Sequence, residues 1–152
     1  MSSILFVCTG NVCRSPMAVG LLRSRLAKER PGAGIRVSSA GTGALDGQPA
    51  SAHAQAVMAE RGIDISDHIA HTIGAGDVSE ADLILTMSQE HAEIIRRIWP
   101  QYRWKVFRLA EMAGKKRDVR DPYGEPIDAY RACADTLSGY IDGGLARILS
   151  LL

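Results

Sequence analysis

Cys8-Thr9-Gly10-Asn11-Val12-Cys13-Arg14-Ser15-Pro16 follows a short apolar run, Ile4 to Val7, and leads into a long stretch of helical periodicity. The run has the length and composition of a buried strand. Pro16 suits the first turn of a helix and Ser15 the cap before it, so the nonapeptide reads as a strand-to-helix turn. Such a turn aims backbone N–H groups and the positive end of a helix dipole at one spot, making a receptor for an anion such as phosphate. Around that phosphate, Cys8 is placed to set its sulfur below phosphorus. Arg14, six positions on, is placed to lay its guanidinium fork beside the oxygens. The same field favours thiolate over thiol, so Cys8 is expected to be ionised near neutral pH. Without that context it reads as a small hydrophobe at a strand end.

Working outward, Met17, Val19, Leu21, Leu22 and Leu26 give a helix from Pro16 to about Arg30 one buried face, and Pro31-Gly32-Ala33-Gly34 ends it. Ile35 to Ala40 reads as a second strand, followed by a flexible Gly41 to Gly47 loop whose glycines are misplaced for a dinucleotide fingerprint. Ser51 to Arg61 is helical with Gly62 just past its end, and Ile63 to Thr72 is an irregular connection. Asp82 to Met87 is a third strand, Ser88 caps a helix through Trp99, and Trp104 to Leu109 offers a fourth strand. Ile127 to Leu152 forms a last helix, with Gly143-Gly144 as a candidate bend. Strands alternating with helices predict an α/β fold of three layers: a four-stranded parallel sheet, helices on both faces, and the phosphate-binding loop after strand 1. With no repeat or linker, residues 1–152 are expected to be one domain, long enough to bury about 70% of the surface its unfolded chain would expose.

Net charge of +1 offers no overall field for nucleic acid or membrane, so anion recognition has to be local. Cys8, Cys13 and Cys133 cannot all pair within one chain, and their spacing is neither a disulfide framework nor a zinc site. A reducing compartment follows, and the lack of a leader-like or membrane-spanning stretch makes cytoplasmic localisation the expectation. His68 and His71 lack the surrounding carboxylates or cysteines of a metal site, and no cofactor is expected.

A thiolate that displaces an oxygen from phosphorus needs a general acid for the leaving group. Asp121, on a stiff Asp-Pro turn, is the candidate, although the same four residues, Asp121-Pro122-Tyr123-Gly124, read alone as a surface turn. Lys115-Lys116-Arg117 just before it reads as a solvated loop or a weak steering patch for acidic substrates.

The nonapeptide, together with Asp121-Pro122-Tyr123, resembles the low molecular weight protein-tyrosine phosphatase family, and the similarity runs through nearly the whole chain. The resemblance implies double displacement on phosphotyrosine through a cysteinyl phosphate, with Cys8 as nucleophile, Arg14 as clamp and Asp121 as acid and then base. It implies that Thr9, Gly10, Asn11, Val12, Cys13 and Ser15 surround the phosphate, that Asn11 holds the loop closed with Ser39 and His68, and that Ser15 stabilises the thiolate. It further implies that Cys13 can form a disulfide with Cys8, whereas Cys13 read by itself is equally a packing residue, as is Cys133. Leu45 stands where many relatives carry an aromatic wall, a likeness to the bacterial branch whose partners are autophosphorylating tyrosine kinases of polysaccharide export. Gly124 leaves Tyr123 as the aromatic for the substrate ring. The alternatives on this fold are an arsenate reductase, disfavoured by the lone downstream Cys133, and a phosphoarginine phosphatase, disfavoured by apolar Val12. A phosphotyrosine-binding module without turnover would need neither Cys8 nor Asp121.

Overall fold

The computed structural model describes residues 1–152. Four parallel strands, β1 (Ser3–Cys8), β2 (Arg36–Gly41), β3 (Leu83–Thr86) and β4 (Val106–Arg108), lie in the order β2-β1-β3-β4. β1 is central and wholly buried, which is why its sequence is a continuous apolar run rather than an alternating one. Its side chains still alternate in direction: Ile4, Phe6 and Cys8 join one core, Leu5 and Val7 the other.

The first core is covered by α1 (Arg14–Glu29), α2 (Ala52–Glu60), α5 (Leu109–Met112) and α6 (Ile127–Ser150). The second is covered by α3 (Ala75–Glu80), α4 (Gln89–Ile98) and a 3-10 turn over Pro100–Lys105. The expected three-layer architecture is therefore present.

Several boundaries differ from the sequence reading. α1 begins at Arg14 with Cys13 in the cap position and no side-chain cap. Ser15 lies inside the first turn and does not cap it, because its hydroxyl is engaged by groups brought from outside the helix. β4 is shorter than Trp104 to Leu109: Pro100 opens the 3-10 turn, and Leu109 already starts α5. α3 was not anticipated within 73–81; Asp77 supports its start by accepting the Gly74 N–H at 2.9 Å. α6 runs unbroken through Gly143-Gly144, where a Cβ on Gly144 would lie 2.6 Å from Met112 Cβ. That glycine lets α5 lie directly on α6.

Parallel pairing sets Cys8 opposite Gly41 at the carboxyl ends of β1 and β2. A Cβ on Gly41 would stand 2.4 Å from the Thr9 carbonyl oxygen, so only glycine allows the 41–47 loop to lie against the nonapeptide.

Candidate active site

Cys8 ends β1, and the chain then wraps through Thr9, Gly10, Asn11, Val12 and Cys13 before α1 starts. These residues, with Arg14, Leu45, Asp121 and Tyr123, line one cavity of about 490 Å3. The sulfur of Cys8 receives the Asn11 N–H at 3.3 Å and lies 2.9 Å from Ser15 Oγ. Cys8 itself is 2% exposed, so a substrate reaches it only through the loop.

Asn11 organises the turn. It is fully buried and has φ of +58°, a left-handed conformation that asparagine tolerates better than most residues. Its Nδ2 donates to Ser15 Oγ at 2.8 Å and Ser39 Oγ at 2.9 Å, while Oδ1 accepts the His71 N–H at 3.1 Å. Its backbone carbonyl accepts from His68 Nε2 at 2.6 Å. Burial lowers the pKa of His68 and this carbonyl opposes it, which favours a neutral ring donating one proton. Ser39 and His68 thus stand behind the loop and face a second cavity of about 540 Å3, not the one above Cys8.

Arg14 is buried. Its Nη1 donates to the Val119 carbonyl at 2.9 Å, and its Nη2 lies 3.6 Å from the carboxylate of Asp121. The loop carrying Asp121 is itself tied to Met87, the residue after β3, by the Val119 N–H on Met87 O at 2.7 Å, and Asp118 accepts the Gln89 N–H at 2.9 Å. Half-exposed Asp121 accepts the Tyr123 N–H, forming an Asx turn over Pro122. Leu45 and Tyr123, 74% and 70% exposed, stand at the rim as apolar surface not used by the protein's own core.

Cys13 Sγ meets Ser51 Oγ at 3.4 Å and the Tyr130 hydroxyl at 3.5 Å. Burial pushes its thiol up, only partly offset by these two hydroxyls. Cys133, pushed up to about 12 by burial, is a packing residue in α6. All three cysteines are unpaired. Lys115, Lys116 and Arg117 are exposed.

The sequence reading missed four contributors. Ser51 caps α2 and meets Cys13; the Tyr130 hydroxyl meets the same sulfur; Val119 supplies a backbone acceptor for Arg14; and buried His91 contacts Thr9. Only His91 carried a local signal, three residues after the Ser88 cap, the spacing of a capping pair.

Comparison with known proteins agrees with this architecture. Residues 3–148 match the family described as low molecular weight phosphotyrosine protein phosphatase. The chain is 42% identical over 151 residues, 99% of each chain, to the probable low molecular weight protein-tyrosine-phosphatase EpsP of Ralstonia nicotianae. It is 41% identical to a protein-arginine-phosphatase of Geobacillus stearothermophilus, over 91% of this chain and 90% of that one. The crystal structure of a low molecular weight protein tyrosine phosphatase from T. tengcongensis superposes with a TM-score of 0.91 at 41% identity, covering 97% of this chain and 99% of the other. The match over residues 3–148 and the identity across 99% of both chains show that this chain belongs to the low molecular weight phosphotyrosine protein phosphatase family.

Proposed function

We propose that the chain hydrolyses phosphotyrosine by double displacement, with Cys8, Arg14 and Asp121 as the reacting and clamping groups. The observation that carries this reading is the convergence of Cys8 Sγ, Arg14 and Asp121 on one cavity, with an N–H donating to the sulfur. The backbone of Thr9 to Cys13 and the uncapped first turn of α1 hold the phosphoryl oxygens, helped by the guanidinium. Cys8 Sγ attacks phosphorus, an S–P bond forms, the P–O bond to the aryl group breaks, and Asp121 delivers its proton to the departing oxygen. Water then attacks the cysteinyl phosphate, Asp121 takes its proton, and phosphate leaves as the sulfur recovers its electron pair. The Ser15 hydroxyl steadies the negative sulfur at both ends of the cycle. Arg14 sits beside Asp121, so a phosphoryl dianion in the loop draws the guanidinium to itself and frees the carboxyl for proton transfer.

Relatives named for tyrosine and for arginine dephosphorylation match equally well, so overall identity does not choose between them. Val12, packed on the core, leaves an apolar wall in the loop, and exposed Leu45 and Tyr123 flank the mouth. These surfaces suit a flat aromatic ring better than a guanidinium, whose N–H groups would lose water without gaining acceptors. The partner is accordingly a phosphotyrosine-bearing protein. The likeness of exposed Leu45 to the bacterial branch supports an autophosphorylating tyrosine kinase of polysaccharide export as that partner, in the cytoplasm. No helix is long and apolar enough to cross a membrane. Matched phosphotyrosine and phosphoarginine peptides test the choice: faster phosphate release from phosphotyrosine is expected, and a preference for phosphoarginine would overturn it. Cys8→Ser should abolish either activity.

A further inference from the structure

His91 stands on α4, outside the cysteine loop, yet its ring is buried between that helix and Thr9. Its Nδ1 accepts the Ser88 backbone N–H at 3.1 Å, and Ser88 Oγ lies 2.9 Å away on the same nitrogen. A backbone N–H can only donate, so Nδ1 carries no proton in the neutral ring and Nε2 does. Nε2 therefore donates to Thr9 Oγ1 at 2.8 Å. Thr9 follows Cys8 directly and is an exposed residue of the catalytic cavity. With one lone pair taken by the imidazole, the threonine hydroxyl keeps its own proton for an acceptor in that cavity.

The loop is thus fixed from separate directions. His68 and Asn11 hold its middle from behind, Arg14 ties its end to the Asp121 loop, and His91 reaches its first limb from α4. The N-terminus of α4 is also where the Asp121 loop is anchored, through Gln89 and Asp118. We infer that His91 is a positioning residue that, through a fixed tautomer, sets Thr9 and the entry of the phosphate loop for catalysis. Burial and the neighbouring Arg14 cation both hold the ring neutral, as this tautomer requires.

The inference rests on the phosphatase reading, and the test separates the two. Glutamine can place a donor where Nε2 stands but no acceptor at Nδ1; asparagine can place an acceptor at Nδ1 but does not reach Thr9. A positioning role predicts that His91→Gln keeps kcat/KM within about threefold, whereas His91→Asn loses about tenfold, the worth of one buried hydrogen bond. Inhibition by inorganic phosphate should weaken in the same order, while thermal stability should favour His91→Asn, which keeps the helix cap. In a Thr9→Val background the two His91 variants should become equal in kcat/KM. Activity that tracks stability instead, or a Gln–Asn difference that persists in Thr9→Val, would overturn the inference. Wild-type enzyme inert on phosphotyrosine would instead sink the phosphatase reading.

Discussion

Asn11→Ala should be among the most damaging substitutions in the chain that leave the nucleophile intact. The side chain makes three hydrogen bonds, to Ser15, Ser39 and the His71 N–H, all at 2.8 to 3.1 Å. Each is worth about 1 kcal/mol net, so their loss costs about 3 kcal/mol. Alanine at φ of +58° adds about 1 kcal/mol of backbone strain, for a total of about 4 kcal/mol. Asn11→Gly loses the same hydrogen bonds but relieves that strain, so it should be the milder variant by about 1 kcal/mol, although its freer unfolded chain narrows the gap. Urea unfolding of the three proteins at constant m reads these numbers, and turnover of an aryl phosphate reads the loop. Activity should fall further than stability in both variants, because the freed loop no longer aims its N–H groups at phosphate. An Ala variant within about 1 kcal/mol of wild type, or a Gly variant less stable than Ala, would refute the view that Asn11 holds the turn in a strained but hydrogen-bonded state.

Other expectations follow from the same coordinates. His91, 3% exposed, has a pKa lowered from 6.5 to about 4 by burial and by Arg14, against Asp118 and Asp121, which raise it. Between those values the unfolded chain binds a proton that the folded one does not, so this contribution is complete above pH 6.5 and falls by about 3 kcal/mol toward pH 4. Denaturation at stepped pH should show that slope, reduced in His91→Gln to the part that half-buried His68 supplies in the same direction. Gly144→Ala should destabilise by about 1–3 kcal/mol because Met112 backbone stands 2.8 Å from the new Cβ. Gly143→Ala meets only Ala113 at 3.5 Å and should stabilise through helix propensity, so melting temperatures of the pair should move in opposite directions. Mild peroxide should join Cys8 to Cys13 reversibly; peptide mass spectrometry finding only over-oxidised Cys8 would exclude that protection.

The strand, the turn and the alternation were legible because β1 is buried on both faces and the nonapeptide combines residue types that a phosphate loop needs. The short elements were not. α3 and α5 span six and four residues, too few for a periodicity to form, and both are held by acidic side chains that bond their own first turn. Ser15 reads as a cap from residue type and position, but Asn11, four residues back in a left-handed turn, engages its hydroxyl instead. Cys13 shows the same limit, since only the structure brings Ser51 and Tyr130 from distant segments to its sulfur. Arg14 and Asp121 read as separate features in the sequence, yet their 3.6 Å approach and the bond from Arg14 to the Val119 carbonyl make one site of two loops.

The central claim is a covalent phosphoryl enzyme at Cys8. Rapid acid quench of Asp121→Ala during turnover of a phosphotyrosine peptide, followed by peptide mass spectrometry, tests it most directly. One phosphoryl group is expected on the peptide containing Cys8, absent in Cys8→Ser and decaying more slowly than in wild type. Phosphate release without any modification of Cys8, or with undiminished rate in Cys8→Ser, would contradict it.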